Sequence, residues 1–389
     1  MATTTGRIPR LDIVDMLRGL VIALMVLDHT RDYFHISAYN FDPTDPARTH
    51  VWLYLTRWVT HLCAPTFVFL AGVSIYLQGV NGKSRSQLTR FLLTRGVWLI
   101  VLELTVISFG FNFALPFLFL QVIWAIGVSM ILLAGLIRLP RALVGAIGAV
   151  IVAGHQLLAP VAAADLGALA PVWTLAFKVG ATPFGRGFIP YPVIPWFGIM
   201  CLGYALGSVF VQEPAQRNRT LMKLALGAIA LFIVLRTING YGDPAPWQTY
   251  PGVAATVMSF FNVSKYPPSL LYVLITLGVA LLCMLALQRL SGLLARMLLA
   301  YGRTPLFTYV LHIYVVHGSA LVVAVLAGYP ASYHADFLAD PLRLVKAGWG
   351  YNLLVVYAAW LAILIVLYPA ARWFADVKRR RREWWLSYL

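Results

Sequence analysis

The stretch RLDIVDMLRGLVIALMVLDHTRDY (residues 10–33) carries the first apolar run of the chain, Leu20 to Leu27, between Arg18 and His29. Eleven residues at about 100° each make three turns plus about 20°, so Arg18 and His29 lie on one face of a helix. A rise of about 1.5 Å per residue separates them by about 16 Å along the axis. Ionisable groups inside a spanning helix are costly, which makes this face the first candidate site.

The composition is that of a polytopic membrane protein. The 389 residues are 60% hydrophobic and only 11% charged, and apolar runs of about 20 residues recur along the chain. The net charge of +16 does not indicate a nucleic-acid partner, because the cations follow the ends of the apolar runs instead of forming one patch. The three cysteines lie within apolar segments and have no metal-site spacing.

Ten membrane spans are expected in an all-α helix bundle that forms a single domain over residues 1–389. The spans are predicted at roughly 12–34, 59–80, 91–110, 117–137, 141–160, 190–210, 220–238, 267–287, 301–327 and 349–372. Basic connections then fall on alternate sides, which places both termini (residues 1–11 and 373–389) in the cytoplasm. No small-residue cleavage site follows the first run, so we expect the first helix to be retained.

Histidines are concentrated toward the opposite, extracytoplasmic side. His29, His61, His312 and His317 come from three spans and are expected to converge in the outer half of the bilayer, near Asp28, Asp32, Arg31 and Arg57. For each histidine alone, the alternative is a hydrogen bond to a neighbouring helix. For the group, we favour a site in which a histidine acts as general base or acyl carrier.

Other catalytic chemistries have weaker support. His312 and His317 are about 140° apart around a helix, and there is no HExxH motif, so no metal site is expected. There is no GxSxG motif, and Cys63 points away from His61 on a helix. Glu103 is expected to bond to another helix, because Arg95 lies about 80° away around its own helix.

Two further groups complete the candidate site. On the outer side, Asp243, Lys265 and Tyr266 lie near the same face, where Lys265 and Tyr266 are predicted to line an acceptor cavity or to form a turn before a helix. On the inner side, Arg18 and Arg303 suit a phosphate-bearing ligand, because arginine presents a planar donor fork. The alternatives for Arg18 are pairing with Asp15 or snorkelling to the interface.

Two segments suggest contacts with lipids and between helices. The tail KRRRREWWLSYL (378–389) joins a basic run to tryptophans and is expected at the anionic cytoplasmic lipid surface. GYALG (203–207) is a small-xxx-small pattern that packs helices closely, either within one chain or in a homodimer.

Several motifs together resemble a known family. The segment LRGLVIALMVLDHTRDYF (17–34) resembles the first helix of the acyltransferase 3 family, with Arg18 and His29 matching its arginine and histidine. The chain more specifically resembles bacterial relatives of heparan-α-glucosaminide N-acetyltransferase. The segments that carry this resemblance are HLCAPTFVFLAGVSIYL (61–77), YPVIPWFGIMCLGYALG (191–207), NVSKYPPSLLYVLITLG (262–278), YGRTPLFTYVLHIYVVH (301–317) and RRREWWLSYL (380–389).

The resemblance implies a multi-pass acyltransferase of the bacterial cytoplasmic (inner) membrane. It would pass an acetyl group from cytoplasmic acetyl-CoA to an amino or hydroxyl group of an extracytoplasmic sugar or glycan. In the eukaryotic enzyme an asparagine falls at His29 and an aspartate at His61, so either histidine could be the base.

We expect His29 to act with His61, Asp28 or Asp32 as its orienting group, and His312 and His317 to line the substrate site. The base either activates the acceptor for direct attack, which we favour, or first accepts the acetyl group. The rival interpretations are a proton-coupled transporter or flippase with a histidine relay, and a non-catalytic membrane scaffold.

Overall fold

The computed structural model describes residues 10–381 and 383–388, so most of the predicted N-terminal segment lies outside the described residues. Its helices, α1–α16 in chain order, are Asp12–Phe34, Val51–Thr60, Cys63–Val80, Arg85–Leu102, Ser108–Asn112, Val122–Leu136, Arg141–Gly154, Ala170–Phe177, Val193–Leu206, Pro214–Ile238, Val253–Phe261, Leu270–Leu287, Gly292–Arg303, Pro305–Leu326, Leu342–Lys346 and Leu353–Arg380. A π-helical segment, Glu103–Ile107, joins α4 to α5.

Several helices begin where the local sequence satisfies their first N–H groups. Ser84 and Gln87 form a capping box at the start of α4. Ser269 caps α12 and Asn352 caps α16 through their side chains. α14 begins at Pro305, which has no N–H to satisfy and cannot continue the preceding helix, so the predicted span 301–327 is broken at Thr304.

The prediction of an all-α polytopic bundle is confirmed. Within the described part of the chain, eight helical stretches are long and apolar enough to cross a membrane: Val51–Val80, Arg85–Asn112, Arg141–Leu158, Val193–Val211, Pro214–Ile238, Leu270–Leu287, Pro305–Leu326 and Leu353–Arg380. They coincide with eight of the predicted spans. The other two predicted spans are α1, which contains several charged residues, and α6, which has only 15 residues. The count of ten and the sidedness remain predictions.

The predicted outer loops fold more than the sequence indicated. They contain the short helices α2, α8, α11 and α15. A small sheet in the order β1-β3-β2 joins β1 (Leu118–Phe119), β2 (Gly180–Ala181) and β3 (Gly187–Ile189), with β1 parallel and β2 antiparallel to β3. Strands of two or three residues carry too little alternation to be recognised in a sequence.

α1 lies at the centre of the bundle. It packs against α13, α14 and α16, which come from the far end of the chain. α1 and α13 approach backbone to backbone, because a Cβ on Gly19 would overlap the carbonyl of Leu298 and a Cβ on Gly302 would overlap that of Asp15. Glycine is therefore required at both positions. This crossing fixes the position of α1 relative to α13.

The GYALG segment and the tail both contact the bundle. A Cβ on Gly203 would overlap the carbonyl of Phe69, so GYALG packs α9 against α3 within the chain, as its structural interpretation predicts. α16 continues to Arg380, beyond the predicted span. Past α16, the tail returns to α4, where the hydroxyl groups of Tyr388 and Thr94 lie 2.6 Å apart.

Candidate active site

A small cavity of about 30 Å³ surrounds the ring of His29. We call it the histidine cavity. Its lining comes from α1, α3, α6 and α14 and from the segments that precede α6, α9 and α12. The lining residues are Met25, Asp28, His29, Cys63, Ala64, Phe67, Gln121, Val122, Tyr191, Lys265 and Tyr309. The space admits a group of a few atoms.

His29 is paired with His312 of α14. Their Nδ1 and Nε2 atoms lie 2.7 Å apart, and the two ring planes are within 16° of each other. His312 is fully buried, and its Nδ1 contacts the backbone carbonyl of Tyr309. The sequence predicted that both histidines belong to one site, but it assigned His312 to the substrate and not to His29.

This chain of contacts fixes the tautomers when both rings are neutral. A backbone carbonyl only accepts, so His312 Nδ1 must carry a proton and donate it to Tyr309. His312 Nε2 is then an acceptor, and His29 Nδ1 must donate to it. His29 Nε2 is left without a proton. An imidazole in this state is ready to accept a proton, which is the requirement for a general base.

The predicted acidic orienters of His29 pair with arginines instead. Asp28 accepts from Arg57 at 2.6 Å and from Arg31 at 3.1 Å, and Asp32 accepts from Arg31 at 2.6 Å. Buried carboxylates beside guanidinium groups are stabilised by these pairs. Asp28 therefore ties α1 to α2 through Arg57, whereas Asp32 pairs within α1, and only Asp28 reaches the wall of the histidine cavity.

His61 and His317 lie outside the histidine cavity. His61 sits in the break between α2 and α3, where its backbone carbonyl accepts from the Tyr272 hydroxyl at 2.8 Å. The ring of His317 stacks on Phe113 with centroids 3.8 Å apart, and its Nδ1 lies 2.9 Å from the carbonyl of Gly110. The predicted convergence of four histidines therefore reduces to one direct pair.

Of the three candidates predicted on the outer side, only Lys265 is part of the described lining of the histidine cavity. Lys265 lines the histidine cavity, and its ammonium group lies 5.1 Å from the ring centre of Tyr266. Tyr266 packs edge-on against Tyr191. Asp243 accepts from the backbone N–H of Ser264 at 2.8 Å and so shapes the segment that carries Lys265.

A much larger cavity, of about 620 Å³, opens at the other end of α1. We call it the arginine cavity. Four cations line it, contributed by the start of α1, by α4 and by the end of α16. They are Arg10, Arg18, Arg95 and Lys378. Asp15 is the one carboxylate among the lining residues that the structure describes, so positive charge predominates.

Arg18 is held in a defined orientation inside the arginine cavity. It donates to Ser74 Oγ, to the carbonyl of Leu70 at 3.3 Å, and to Asp15 at 3.3 Å. The predicted pairing of Arg18 with Asp15 is confirmed. Arg303 instead pairs with Asp12 at 2.9 Å and is not part of the described lining, so the structure does not bring it into the same cavity as Arg18.

The two cavities share a wall. Phe67, Val122 and Tyr309 line both of them. These residues come from α3, α6 and α14, which surround the face of α1 between Arg18 and His29. The predicted alignment of Arg18 with His29 on this face therefore corresponds to two cavities that share a wall.

Other catalytic chemistries have little support from the residues that the structure describes. Across residues 10–381 and 383–388, no group of three or more His, Cys, Asp and Glu side chains is arranged to hold a metal ion. The thiol of Cys63 donates to the carbonyl of Val21 at 3.2 Å. Glu103 accepts from the backbone N–H of Trp124 at 2.8 Å, which confirms the predicted bond to another helix.

Sequence reasoning missed several lining residues. Tyr309 precedes His312 by three residues and lies on the same helix face, which is a signal that was available. Arg95 and Lys378 lie far from Arg18 in the sequence, and no local pattern connects them. Gln121 and Tyr191 lie just before helices, where loop geometry decides their direction.

Comparison with known proteins supplies the family. The family model for the catalytic region of heparan-α-glucosaminide N-acetyltransferase matches residues 10–238, more than half of the chain. No curated protein matches the chain. The matched region contains Arg18, His29 and the α3 wall, whereas Lys265 and His312 follow it. The chain is an integral membrane protein of the heparan-α-glucosaminide N-acetyltransferase family, and so of a transmembrane acetyltransferase kind.

Proposed function

We propose that the protein transfers the acetyl group of cytoplasmic acetyl-CoA to an amino or hydroxyl group of an extracytoplasmic sugar. The observation that carries this proposal is the shared wall between a wide, cationic cavity and a small one that contains His29. The membrane would be the bacterial cytoplasmic membrane.

The donor fits the arginine cavity by size and charge. A volume of about 620 Å³ falls in the range of sites for cofactor-sized ligands. The phosphates of CoA would face Arg10, Arg18, Arg95 and Lys378, and arginine binds phosphate oxygens through paired donors. The pantetheine arm would pass Phe67, Val122 and Tyr309 and present the thioester to His29.

His29 would then act as the general base. Its Nε2 takes a proton from the acceptor nitrogen or oxygen as that atom attacks the thioester carbonyl carbon. The new bond to carbon forms, the carbon–sulfur bond breaks, and the proton passes from His29 to the departing CoA sulfur. His312 keeps the proton of His29 on Nδ1 throughout, which holds Nε2 toward the reacting atoms.

Lys265 is suited to stabilise the transient negative charge. It supplies an ammonium group at the histidine cavity, where the one carboxylate of the described lining, Asp28, is already paired with Arg57 and Arg31. A fixed cation near a developing oxyanion lowers the barrier most when little water is present. Direct transfer also avoids exposing an acyl-imidazole to water.

The test compares the native protein with His29→Gln and with His155→Gln, a matched change at the far end of α7. Labelled acetyl-CoA and a panel of amino sugars report transfer, and calorimetry reports donor binding. We expect His29→Gln to lower transfer about 10²–10⁴-fold while binding persists, because general-base catalysis contributes about that much. His155→Gln should match the native protein.

Other results would count against the proposal. A folded native protein that does not bind acetyl-CoA would contradict it, and sugar flux without thioester cleavage would favour a transporter. Intact mass after incubation with acetyl-CoA alone separates the two routes. An added acetyl group that disappears in His29→Gln would replace direct transfer with a two-step reaction.

A further inference from the structure

A third cavity, of about 470 Å³, lies apart from the two described above. It forms where the end of α3, the start of α4, the α6–α7 connection and α9 meet. We call it the basic groove. Four cations line it, Lys83, Arg85, Arg138 and Arg141. They come from two connections that are more than 50 residues apart in sequence, and Arg85 joins these by donating to the carbonyl of Arg138 at 3.3 Å.

No carboxylate of the described part of the chain neutralises the positive charge of the basic groove. No carboxylate belongs to its described lining, and none of its four cations forms a salt bridge to another described residue. Arg141 is the first residue of α7, where a cation is unfavourable to the helix dipole. Helix stability therefore gives no reason for its position.

The remaining lining is apolar and aromatic, and part of it is exposed. Val80 is 45% exposed and Leu139 is 36% exposed at the edge of the groove. Tyr76 and Tyr204 pack edge-on with ring centres 5.8 Å apart, and the guanidinium of Arg141 lies 5.7 Å from the Tyr76 ring centre. Tyrosines are typical of the level of lipid headgroups. The site thus offers cations above an apolar wall.

We propose that the basic groove binds an anionic phospholipid of the cytoplasmic leaflet. Its headgroup phosphate would lie among Arg138, Arg141 and Arg85, and its acyl chains would descend along Val80 and Leu139. Basic pockets between helices on this side of a membrane suit such headgroups, and the absence of acidic lining residues gives the charge complementarity. The proposal does not depend on the acetyltransferase reaction.

Native mass spectrometry of the full chain, exchanged from phosphatidylcholine nanodiscs into mild detergent, tests this site. Phosphatidylglycerol or phosphatidylcholine is titrated into the native protein and into the double variant Arg138→Gln/Arg141→Gln. The double variant Arg289→Gln/Arg296→Gln is the control, since it removes two exposed cations elsewhere on the predicted cytoplasmic side. Neither pair lines the cavities of the proposed reaction.

We expect the native protein and the control to retain one phosphatidylglycerol, and Arg138→Gln/Arg141→Gln to bind it about tenfold or more weakly, because two headgroup-facing charges are lost. Melting in the same lipids checks that each variant folds. Equal loss in both double variants, or equal retention of phosphatidylcholine, would overturn the proposal. Displacement of the lipid by millimolar inorganic phosphate would also overturn it and identify a site for free anions.

Discussion

The arginine cavity and the histidine cavity differ in size about twentyfold, although they share a wall. The larger one is rich in unbalanced positive charge, whereas the smaller one contains an imidazole with its proton placed by a hydrogen-bond chain. The size and charge of the arginine cavity suit a bulky anion. The histidine cavity has room only for the reactive end of such an anion. Under the proposed function, this division assigns donor binding and chemistry to opposite ends of α1.

Blocking the proposed path of the pantetheine arm between the two cavities should give the largest loss of acetyl transfer. Val122→Trp enlarges a wall residue that is only 6% exposed and lies between the cavities. We expect transfer to fall about 10²-fold or more, because a misplaced thioester loses its reactive geometry. Binding of adenosine 3′,5′-bisphosphate, measured by calorimetry, should be unchanged. The control is Val150→Trp, at an exposed site on α7, and equal activity in both variants would mean that this path is not used.

The next effect should come from the partner of His29. His312→Leu removes the acceptor for His29 Nδ1, and we expect the rate of transfer to fall about 10–10²-fold, the usual cost of one buried polar partner. His312→Gln can place an amide oxygen near the former Nε2 and should recover part of the rate. The pH profile of kcat distinguishes positioning from packing. If both variants lose activity equally with the native profile retained, His312 acts only by filling space.

A smaller effect, on the affinity for acetyl-CoA, should distinguish the role of Arg18 from that of Arg303. Arg18→Gln removes a cation from the arginine cavity, and we expect acetyl-CoA to bind about tenfold more weakly, as for one charge-assisted phosphate contact. Arg303→Gln removes a cation that pairs with Asp12 outside the cavity, so its Kd should stay native. Calorimetry measures both. Similar losses in the two variants would assign donor binding to overall charge.

The smallest effect concerns the connection between α14 and α15, outside the spans and on the predicted extracytoplasmic side. Burial lowers the pKa of His334 to about 4, so the folded state disfavours the charged ring. This contribution is complete above about pH 6.5 and is lost as the pH falls from there toward 4. We expect the Tm to decrease in this range, and less so in His334→Phe. His50→Asn, at an exposed histidine, should keep the native pH dependence. If His334→Phe keeps the native dependence of Tm on pH, the burial of His334 is not the cause of that dependence.

Part of this organisation follows from sequence and part does not. The face that carries Arg18 and His29 follows from helical periodicity, and the spans follow from hydropathy. The pairing of His29 with His312 required a contact between residues 283 positions apart, which no periodicity encodes. The exclusion of Arg303 from the lining could not be read from the sequence, because one apolar run hides the break between α13 and α14 at Thr304. The sheet was missed because its strands are too short to leave a pattern.

The central position of α1 has a consequence for biosynthesis. α1 is made before the helices that it packs against most, and its charges make it a poor solitary occupant of lipid. Three helices that pack against it, α13, α14 and α16, begin at Gly292 or later in the chain. His312 also arrives only with α14, so an incomplete chain holds His29 without its partner. In the proposed reaction, thioester cleavage would therefore have to wait until α14 has been made, and a product truncated before α14 would have no assembled centre with which to cleave acetyl-CoA.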